Sequence, residues 1–450
     1  MHGELFDRGE FLPSKAEKEE RQAEGHPRLR VPHRTQVEMR CASLDELLAA
    51  DHAVRAIWEM VCGLDLSEFL DDVKAVEGRQ GRNATDPRLL LALWMYAVVD
   101  GVASARELER RCQSHLPYQW LCGNVTVNYH MLSDFRKDHG EKLDRLFTRA
   151  VGNLLHEGLV TLNRVAQDGM RVRAGAGNAS FRRKDRLTKC LAEAEEQIAA
   201  LKQLAEQDPQ EASRRQQAAR ERAARERAKR IRKAIEQCEE VAAKRKASRS
   251  SKKKQREARA STTDPDARIM QMADGGYRPA CNVQLATDVE SGIIVGVDVV
   301  NAGSDNGQMG PMVDQVTERC QRTPKQWLVD GGFNSLEDID RVETDLGCEV
   351  YMPIRDARRK LKSGEDPYTR RRDDTDATAR WRARMETAEA KSIYPLRAQS
   401  AEWVNAVFRN HNLWRMPVRG KKRWRCVTLL HALTHNLLRA SKLRLAAAAG

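Results

Sequence analysis

The sequence predicts a mixed α/β protein in which an all-helical N-terminal region precedes a sheet domain, and a charged helical hairpin interrupts that sheet domain. Three observations carry this prediction. Apolar residues recur at helical spacing up to about residue 158, β-branched alternating segments begin after it, and a Lys- and Arg-rich stretch without glycine separates the first of these segments from the others. The length of 450 residues accommodates several such domains.

The composition excludes several classes of protein. Hydrophobic residues make up 41% of the chain, which argues against a fully disordered protein, and no apolar run approaches the ~20 residues that span a bilayer. The first residues are too charged for a signal peptide. The 10 cysteines form no C-x-x-C pair, which argues against a zinc ribbon or a thioredoxin site and is typical of the reducing cytoplasm. We therefore expect a cytoplasmic protein without a membrane partner.

The net charge of +13 is concentrated in one stretch. Residues 211–260 contain 19 Lys or Arg and 7 Asp or Glu, and the excess of +12 nearly equals that of the whole chain. The apolar spacing within residues 181–262 predicts two helices that form a hairpin. Such a hairpin is either a solvated helical projection or a basic surface that binds phosphates. The candidate DNA-binding residues at its end are Lys252, Lys253, Lys254 and Arg256.

The N-terminal part divides into a leader and a helical domain. Residues 1–40 lack periodic apolar residues and are expected to be a flexible leader. Within 41–158, helix starts are indicated by the capping box of Ser43 and Glu46, by Asp86-Pro87 and by Ser104. These signals predict an all-helical domain.

The order of elements after residue 158 predicts the topology of the sheet. A strand at 159–168 is followed, after the hairpin, by two strands joined as a β-hairpin at 290–292, and then by helix, strand, helix, strand and helix. This order is that of RNase H-like folds, with three antiparallel strands and parallel additions. We assign the domain to 159–180 and 263–440, expect 356–382 to be a charged loop and the last helix to span 427–438, and treat 441–450 as a tail.

Two aspartates occupy the same setting. Asp168 is predicted to end the first strand and precedes Gly169, and Asp330 is predicted to end a later strand and precedes Gly331. Carboxylates at neighbouring strand ends suit Mg²⁺, which prefers oxygen ligands. A single Asp-Gly is usually a turn, as expected for Asp274, but two at strand ends favour a metal site.

The C-terminal part supplies a third acidic candidate. Tyr394, Arg397, Glu402 and Arg409 lie within one segment, and the seven-residue separation of Glu402 and Arg409 places them on one face of a helix. An acid near two arginines and a tyrosine is what a site for a metal and a phosphate requires. A surface helix with salt bridges is the ordinary alternative.

These motifs together resemble the DDE transposases of bacterial insertion sequences. The resemblance covers most of the chain: a helical N-terminal segment ending in LSDFRKDH, VAQDGMRVRAGAGNASFRR around the first aspartate, WLVDGGFNS around the second, and YPLRAQSAEWVNAVFRNHNLWRMPVRG with a closing His-Asn-Leu. The family signature of the last motif is Tyr-x2-Arg-x3-Glu-x6-Lys. Here Glu402 comes one residue late, and Arg409 replaces the lysine, which keeps a phosphate contact.

The shifted spacing leaves alternatives for the third carboxylate. An alignment on Val407-Phe408 places Asn405 at the acidic position, and asparagine supplies no charge. Glu386 and Glu389 are further acids, but they precede Tyr394. We favour Glu402.

The resemblance implies a mechanism and partners. Asp168, Asp330 and Glu402 would bind two Mg²⁺ ions, with Mn²⁺ as a substitute, for cleavage at the element ends and strand transfer into target DNA. Tyr394, Arg397 and Arg409 would hold phosphates. Trp403 either stacks on an unpaired base or, as its apolar neighbours favour, belongs to the core. The partners implied are double-stranded DNA, as terminal inverted repeats and as target, and a second copy of the chain, with a location at the bacterial nucleoid.

Two alternatives stay open at this level. An inactive or repurposed transposase would act as a DNA-binding protein and would need only the basic hairpin and the helical domain. An RNase H-like nuclease would cut DNA without strand transfer, and the sequence does not separate this activity from transposition.

Overall fold

The computed structural model describes residues 41–71, 83–207, 211–247 and 257–449, together with 14–17 and a few further residues before 41 and between 71 and 83. The described residues from 47 onwards form one compact unit, and the described residues before them belong to a separate one. Most of the predicted leader and the four basic residues Lys252, Lys253, Lys254 and Arg256 lie outside the described residues. No helix in the described part of the chain is long and apolar enough to cross a membrane.

The part of the chain before the sheet is helical, as predicted. Its helices are α1 Leu44–Leu47, α2 Ala53–Cys62, α3 Ser67–Leu70, α4 Pro87–Val99, α5 Ala105–Ser114, α6 Leu116–Cys122, α7 Tyr129–Asp138 and α8 Gly140–His156. The predicted start signals are confirmed, because the side chains of Asp86 and Ser104 accept hydrogen bonds from the first turns of α4 and α5. Ser43 and Glu46 form the reciprocal capping box.

The sheet has the topology that the element order predicts. Its strands are β1 Arg164–Arg173, β4 Arg268–Gln271, β5 Tyr277–Asp288, β6 Ile294–Val300, β7 Gln326–Leu328 and β8 Glu349–Tyr351, while β2 Phe181–Arg182 and β3 Ala260–Ser261 form a separate pair. β5 pairs antiparallel with β1, β4 and β6, and β7 pairs parallel with β1 and β8. The order β6-β5-β1-β7-β8 is the RNase H-like arrangement.

The helices of this domain differ in extent from the prediction. They are α11 Met309–Cys320, α12 Leu336–Thr344, α13 Ala357–Lys362, α14 Asp376–Glu386, α15 Ala388–Ile393, α16 Trp403–Asn410 and α17 Lys421–Ala449. The expectation of a loop over 356–382 is wrong, because α13 and part of α14 lie there. α14 packs against α12 and β8 through the buried Trp381, whose Nε1 donates to the carbonyl of Met352. The last helix is also longer than predicted.

Two long helices follow β2. α9 Lys184–Gln207 and α10 Glu211–Ala247 pack on each other through small apolar clusters of their own, which include Leu187 with Ala234 and Ala194 with Ile231. α10 also contacts the sheet domain, since Lys233 Nζ lies 2.5 Å from Asp266 Oδ2. The apolar contacts between these two helices are therefore separate from the main hydrophobic core.

α17 joins the sheet to the helical region. It packs against β6 on one side and against α4, α7 and α8 on the other. Its Asn436 accepts a hydrogen bond from the Ile294 N–H at 2.8 Å and donates one to the Ile294 carbonyl at 2.7 Å. His435 Nε2 lies 2.9 Å from the Gly292 carbonyl, and burial lowers the pKa of His435 to about 4. The closing His-Asn-Leu thus holds the edge of β6, where backbone groups would otherwise lack partners.

Candidate active site

Asp168 lies in the middle of β1, and not at its end as predicted. β1 pairs with β5 from Val165 to Arg173, whereas its pairing with β7 covers only residues 164–166. Asp-Gly is a common turn and predicts a strand end at Asp168, but the partner strand β5 extends the pairing beyond it. Asp168 therefore stands where β1 and β7 separate.

Asp330 follows β7 and faces the same region. Ala166 of β1 is in register with Leu328, so Asp168 and Asp330 each lie two positions further along parallel strands. Asp330 Oδ1 accepts a hydrogen bond of 2.7 Å from the Gly332 N–H. Burial raises the pKa of Asp168 to about 6, with the negative charges of Asp330 and Asp305 adding to the rise and Arg397 opposing it. The site thus concentrates negative charge.

Asp305 is a further carboxylate of this site, and the sequence analysis missed it. It follows β6, and its Oδ1 accepts hydrogen bonds from Asn282 Nδ2 at 2.7 Å and Gln284 Nε2 at 2.6 Å. A β-carbon on Gly169 would overlap this carboxylate, so any larger residue there would displace Asp305 from its present position. A β-carbon on Gly332 would lie 2.9 Å from Asp330 Oδ1 and 3.7 Å from Asp305 Oδ2. The space that Gly169 leaves is therefore filled by Asp305.

Arg397 joins the third motif to the first aspartate. Its Nη2 lies 2.6 Å from Glu402 Oε1, and its Nη1 lies 3.8 Å from Asp168 Oδ2. The Arg397 side chain is 12% exposed, whereas that of Glu402 is 54% exposed. Burial raises the pKa of the neighbouring Tyr394, and the charge of Arg397 partly offsets this rise. Tyr394, Arg397 and Glu402 thus lie together beside Asp168.

A π-helical segment accounts for the late position of Glu402. Residues Ala398–Glu402 form a π-helix between Arg397 and α16. A π-turn contains one residue more than an α-turn, and such single turns are frequent at functional sites. The extra residue of the Tyr-x2-Arg-x4-Glu spacing is absorbed there, which leaves Arg397 and Glu402 in contact. The other two acids considered, Glu386 and Glu389, are exposed on α14 and α15.

Asn405 contacts Asp168 directly. It acts there as a hydrogen-bond donor to the aspartate and does not replace the third carboxylate. Its Nδ2 donates a hydrogen bond of 2.9 Å to Asp168 Oδ2, and its Oδ1 is buried without a hydrogen-bond partner. Asn405 is 4% exposed on the first turn of α16. An unpartnered amide oxygen beside carboxylates is available as a cation ligand.

Arg409 and Trp403 pack against other side chains of the C-terminal part of the chain. The Arg409 guanidinium lies 5.7 Å from the ring centroid of Trp414, further along the chain. Trp403 is 40% exposed, so it is not a core residue, and it packs edge-on against His435 with Arg439 over its ring. The expectation that its apolar neighbours bury Trp403 is therefore wrong.

The donor types of the site fit a hard divalent cation. Oxygen atoms come from Asp168, Asp330, Asp305, Glu402 and Asn405, and Mg²⁺ prefers such ligands. Among the described residues, no three His, Cys, Asp or Glu side chains are arranged to hold one metal ion. Glu402 contacts Arg397, so its carboxylate would have to turn from Arg397 to join the two aspartates at a metal.

Comparison with protein families identifies the two halves of the chain. Residues 42–138 match a family model described as transposase domain (DUF772), and residues 247–437 match one described as transposase DDE domain. The second range contains Asp330, Glu402 and Arg409, whereas Asp168 precedes it, on the other side of α9 and α10. No match is found among curated proteins or solved structures. Together the matched ranges cover more than half of the 450 residues, and the chain belongs to the DDE transposases of insertion sequences, enzymes of DNA transposition.

Proposed function

We propose that Asp168, Asp330 and Glu402 are the catalytic carboxylates of a metal-dependent transposase that cleaves DNA at the element ends and transfers the freed 3′ ends into target DNA. The observation that carries this assignment is the position of Arg397, which contacts both Asp168 and Glu402 although they come from distant parts of the chain. Asp330 supports it through the parallel register of β1 and β7.

The carboxylates would hold two Mg²⁺ ions, with Mn²⁺ as a substitute. Bound divalent cations activate the attacking water or hydroxyl and stabilise the leaving 3′ oxygen in phosphoryl transfer. Asp168 contributes from the rigid centre of β1, and Asp330 from the turn after β7, where its other oxygen remains free of the Gly332 hydrogen bond. Asn405 keeps Asp168 Oδ2 in one orientation.

The cationic and phenolic groups of the third motif would bind the DNA backbone. Arg397 presents a planar fork suited to a phosphate, and it lies between Asp168 and Glu402. A phosphate that engages Arg397 would free the Glu402 carboxylate from its ion pair. Tyr394 lies against Arg397, and Arg409 is one turn beyond Asn405 on α16, so both would contact adjacent phosphates.

Duplex DNA and a second copy of the chain are the proposed partners. α10 is rich in basic residues, and exposed arginines such as Arg222 and Arg227 lie along it. We propose that α10, the basic residues 252–256 that follow it and the helical N-terminal region hold the terminal repeats and that a homodimer brings two ends together at the nucleoid. An inactive transposase or a nuclease without strand transfer are the alternatives, and the assay below separates them.

The test is cleavage and joining of a labelled duplex that carries the inverted repeat bordering the gene. We expect Asp168→Asn, Asp330→Asn and Glu402→Gln each to lower the cleavage rate by about a thousandfold or more, since each removes a charge that a cation requires, while DNA binding persists. Asp274→Asn is a matched control, because Asp274 also precedes two glycines but lies in an exposed turn. Glu389→Gln is the control for Glu402.

Each alternative has its own outcome in this assay. A parent protein that binds but does not cut supports the inactive DNA-binding protein, and one that cuts without joining supports the nuclease. Cleavage at the parent rate by all three variants would refute the metal mechanism. Normal cleavage by Glu402→Gln together with loss in Glu389→Gln would refute only the third carboxylate.

A further inference from the structure

An open cleft with a volume of about 650 Å³ lies between the N-terminal ends of α5 and α7 and the loop that joins α16 to α17. It is separate from the carboxylates. Four arginines line it, and no Asp or Glu is among the described residues of its lining. These arginines are Arg106, Arg136, Arg415 and Arg419.

Arg136 is a buried cation of this cleft without a counter-charge. It is 6% exposed, its Nη1 donates to the Ala103 carbonyl at 2.6 Å, and its guanidinium lies 4.1 Å from the Trp94 ring centroid. Its Nε is buried with no hydrogen-bond partner. Burial lowers the pKa of Arg136 to about 10, so it stays charged at neutral pH. Burying a positive charge without a negative charge beside it costs free energy, and an anion in the cleft would offset that cost.

Two helix N-termini add to the positive potential. Ala105 at the start of α5 and Tyr129 at the start of α7 both line the cleft, and helix N-termini favour anions. The acid nearest on α5, Glu107, is already paired with Arg110 and Arg111. The cleft therefore remains cationic.

The other arginines are placed around the opening. Arg106 lies 4.8 Å from the ring centroid of Tyr129, and Arg419 Nε donates to the Gly175 carbonyl at 3.1 Å. Arg415 is exposed and forms no ion pair with any described residue. Guanidinium groups of this kind bind phosphate oxygens in pairs of hydrogen bonds.

β1 relates the cleft to the candidate active site. Arg173, the last residue of β1, forms a parallel bridge with Arg415, and Gly175 lines the cleft. Asp168 and Arg173 are five positions apart, about 17 Å along a strand. A DNA strand rises about 3.4 Å per nucleotide along the duplex axis, so this distance corresponds to about five nucleotides for a duplex whose axis runs parallel to β1. Trp414, which is 59% exposed, also lines the cleft.

We propose that this cleft is a binding site for the DNA backbone, about five nucleotides from the phosphate that is cleaved at Asp168, with Trp414 against a neighbouring base. The proposal rests on the transposase function proposed above and adds to it a specific contact between the helical N-terminal region and the strand held at the active site. Arg136 and the two helix N-termini bind one phosphate, and Arg106, Arg415 and Arg419 bind those beside it.

The test measures binding of the full-length protein to the labelled inverted-repeat duplex in EDTA over a range of salt concentrations. Arg106→Gln and Arg415→Gln are expected to weaken binding about fivefold at low salt and to reduce the log–log salt slope by about 0.9 for each lost phosphate contact. Trp414→Ala is expected to weaken binding about tenfold without changing that slope, because stacking releases no counterions. Arg358→Gln, an exposed arginine of α13, is the matched control.

Position is tested by ethylating the phosphates of the duplex. Ethylation about five nucleotides from the cleaved bond should impair binding by the parent and have no effect on Arg415→Gln. Interference confined to other phosphates, or an equal loss in Arg358→Gln, would overturn the proposal. If the parent cleaves the duplex while both arginine variants bind like the parent, the cleft assignment fails and the proposed function stands. A parent that neither binds nor cleaves refutes both.

Discussion

Asn405 donates a hydrogen bond of 2.9 Å to Oδ2 of Asp168 from a position 237 residues away in the chain. This contact fixes the first aspartate against the third motif, because Asn405 is itself buried at the start of α16. The geometry makes Asn405 a positioning residue for Asp168, and it is also the residue that one alignment places at the acidic position.

Asn405→Ala should lower the cleavage rate by about ten- to a hundredfold, the effect of losing a hydrogen bond to a charged group. The Michaelis constant for DNA should change little, because the residue contacts Asp168 and not the duplex. Steady-state cleavage kinetics provide the measurement, and Asn410→Ala, an exposed asparagine on the same helix, is the control. Equal losses in both variants would show that α16 is merely destabilised.

The π-helical segment makes a prediction about chain length. Deletion of the exposed Ala398 should turn the segment into an α-helix, keep Arg397 and Glu402 on one face and retain cleavage within about tenfold of the parent. Deletion of Ala406 within α16 should abolish cleavage, since it rotates the buried Phe408 out of the core by about 100°. Cleavage assays of the two deletions compare them directly, and similar losses would contradict the role assigned to the π-turn.

Divalent cations should stabilise the protein without DNA. Binding to the native state alone raises the melting temperature, by about 1 to 3 °C at a cation concentration tenfold above the dissociation constant. Asp305→Asn should reduce this rise, because the carboxylate of Asp305 lies between the glycines that follow Asp168 and Asp330. Thermal unfolding with and without Mn²⁺ measures the effect, and Asp274→Asn is the control. An undiminished rise in Asp305→Asn would exclude that carboxylate from the cation site.

A buried aspartate outside the active site predicts a dependence of stability on pH. Asp264 Oδ1 accepts a hydrogen bond from the Gly420 N–H, its Oδ2 has no partner, and burial beside Asp266 raises the pKa of Asp264 to about 7. The folded state therefore binds a proton more strongly than the unfolded state, so this group's contribution to stability falls as pH rises from about 4 to 7.

Asp264→Asn removes this ionisation and keeps an acceptor for Gly420. The unfolding free energy of the variant, relative to that of the parent, should therefore increase between pH 5 and pH 8 by an amount on the order of 1 to 3 kcal/mol. The melting temperature of the variant relative to the parent should increase accordingly. Thermal unfolding at the two pH values measures it. A difference that is the same at both would show that Asp264 ionises as it does in the unfolded chain.

Features that depend on residues close together in the chain could be predicted from the sequence. The caps at Asp86 and Ser104, the hairpin between β5 and β6 and the order of the sheet follow from local patterns and are confirmed. The assignment of Asp168, Asp330 and Glu402 stays a prediction, although the fold brings the first two to the region where β1 and β7 separate and Arg397 joins the first to the third.

Other features depend on partners that the sequence pattern does not reveal. Asp168 lies in mid-strand because β5, more than a hundred residues later, pairs on both sides of it. Asp305 lies in a Ser-Asp-Asn-Gly segment that is typical of a turn, and its role depends on Gly169 opposite it. The π-helical segment has no hydrophobic periodicity by which a sequence pattern could identify it. The sequence pattern did not predict α13 and the first part of α14, because charged residues outnumber the few residues in these segments that pack against the core.

The most direct test of the account is to map the metal site chemically. Fe²⁺ in place of Mg²⁺ produces hydroxyl radicals with ascorbate and peroxide, and these cut the backbone next to the bound ion. We expect cuts near residues 168, 330 and 402 in the parent, suppressed by excess Mg²⁺ and lost in Asp168→Asn. Cuts confined to other segments, or cuts at these positions that persist in Asp168→Asn, would contradict the assignment of these three carboxylates to one metal site.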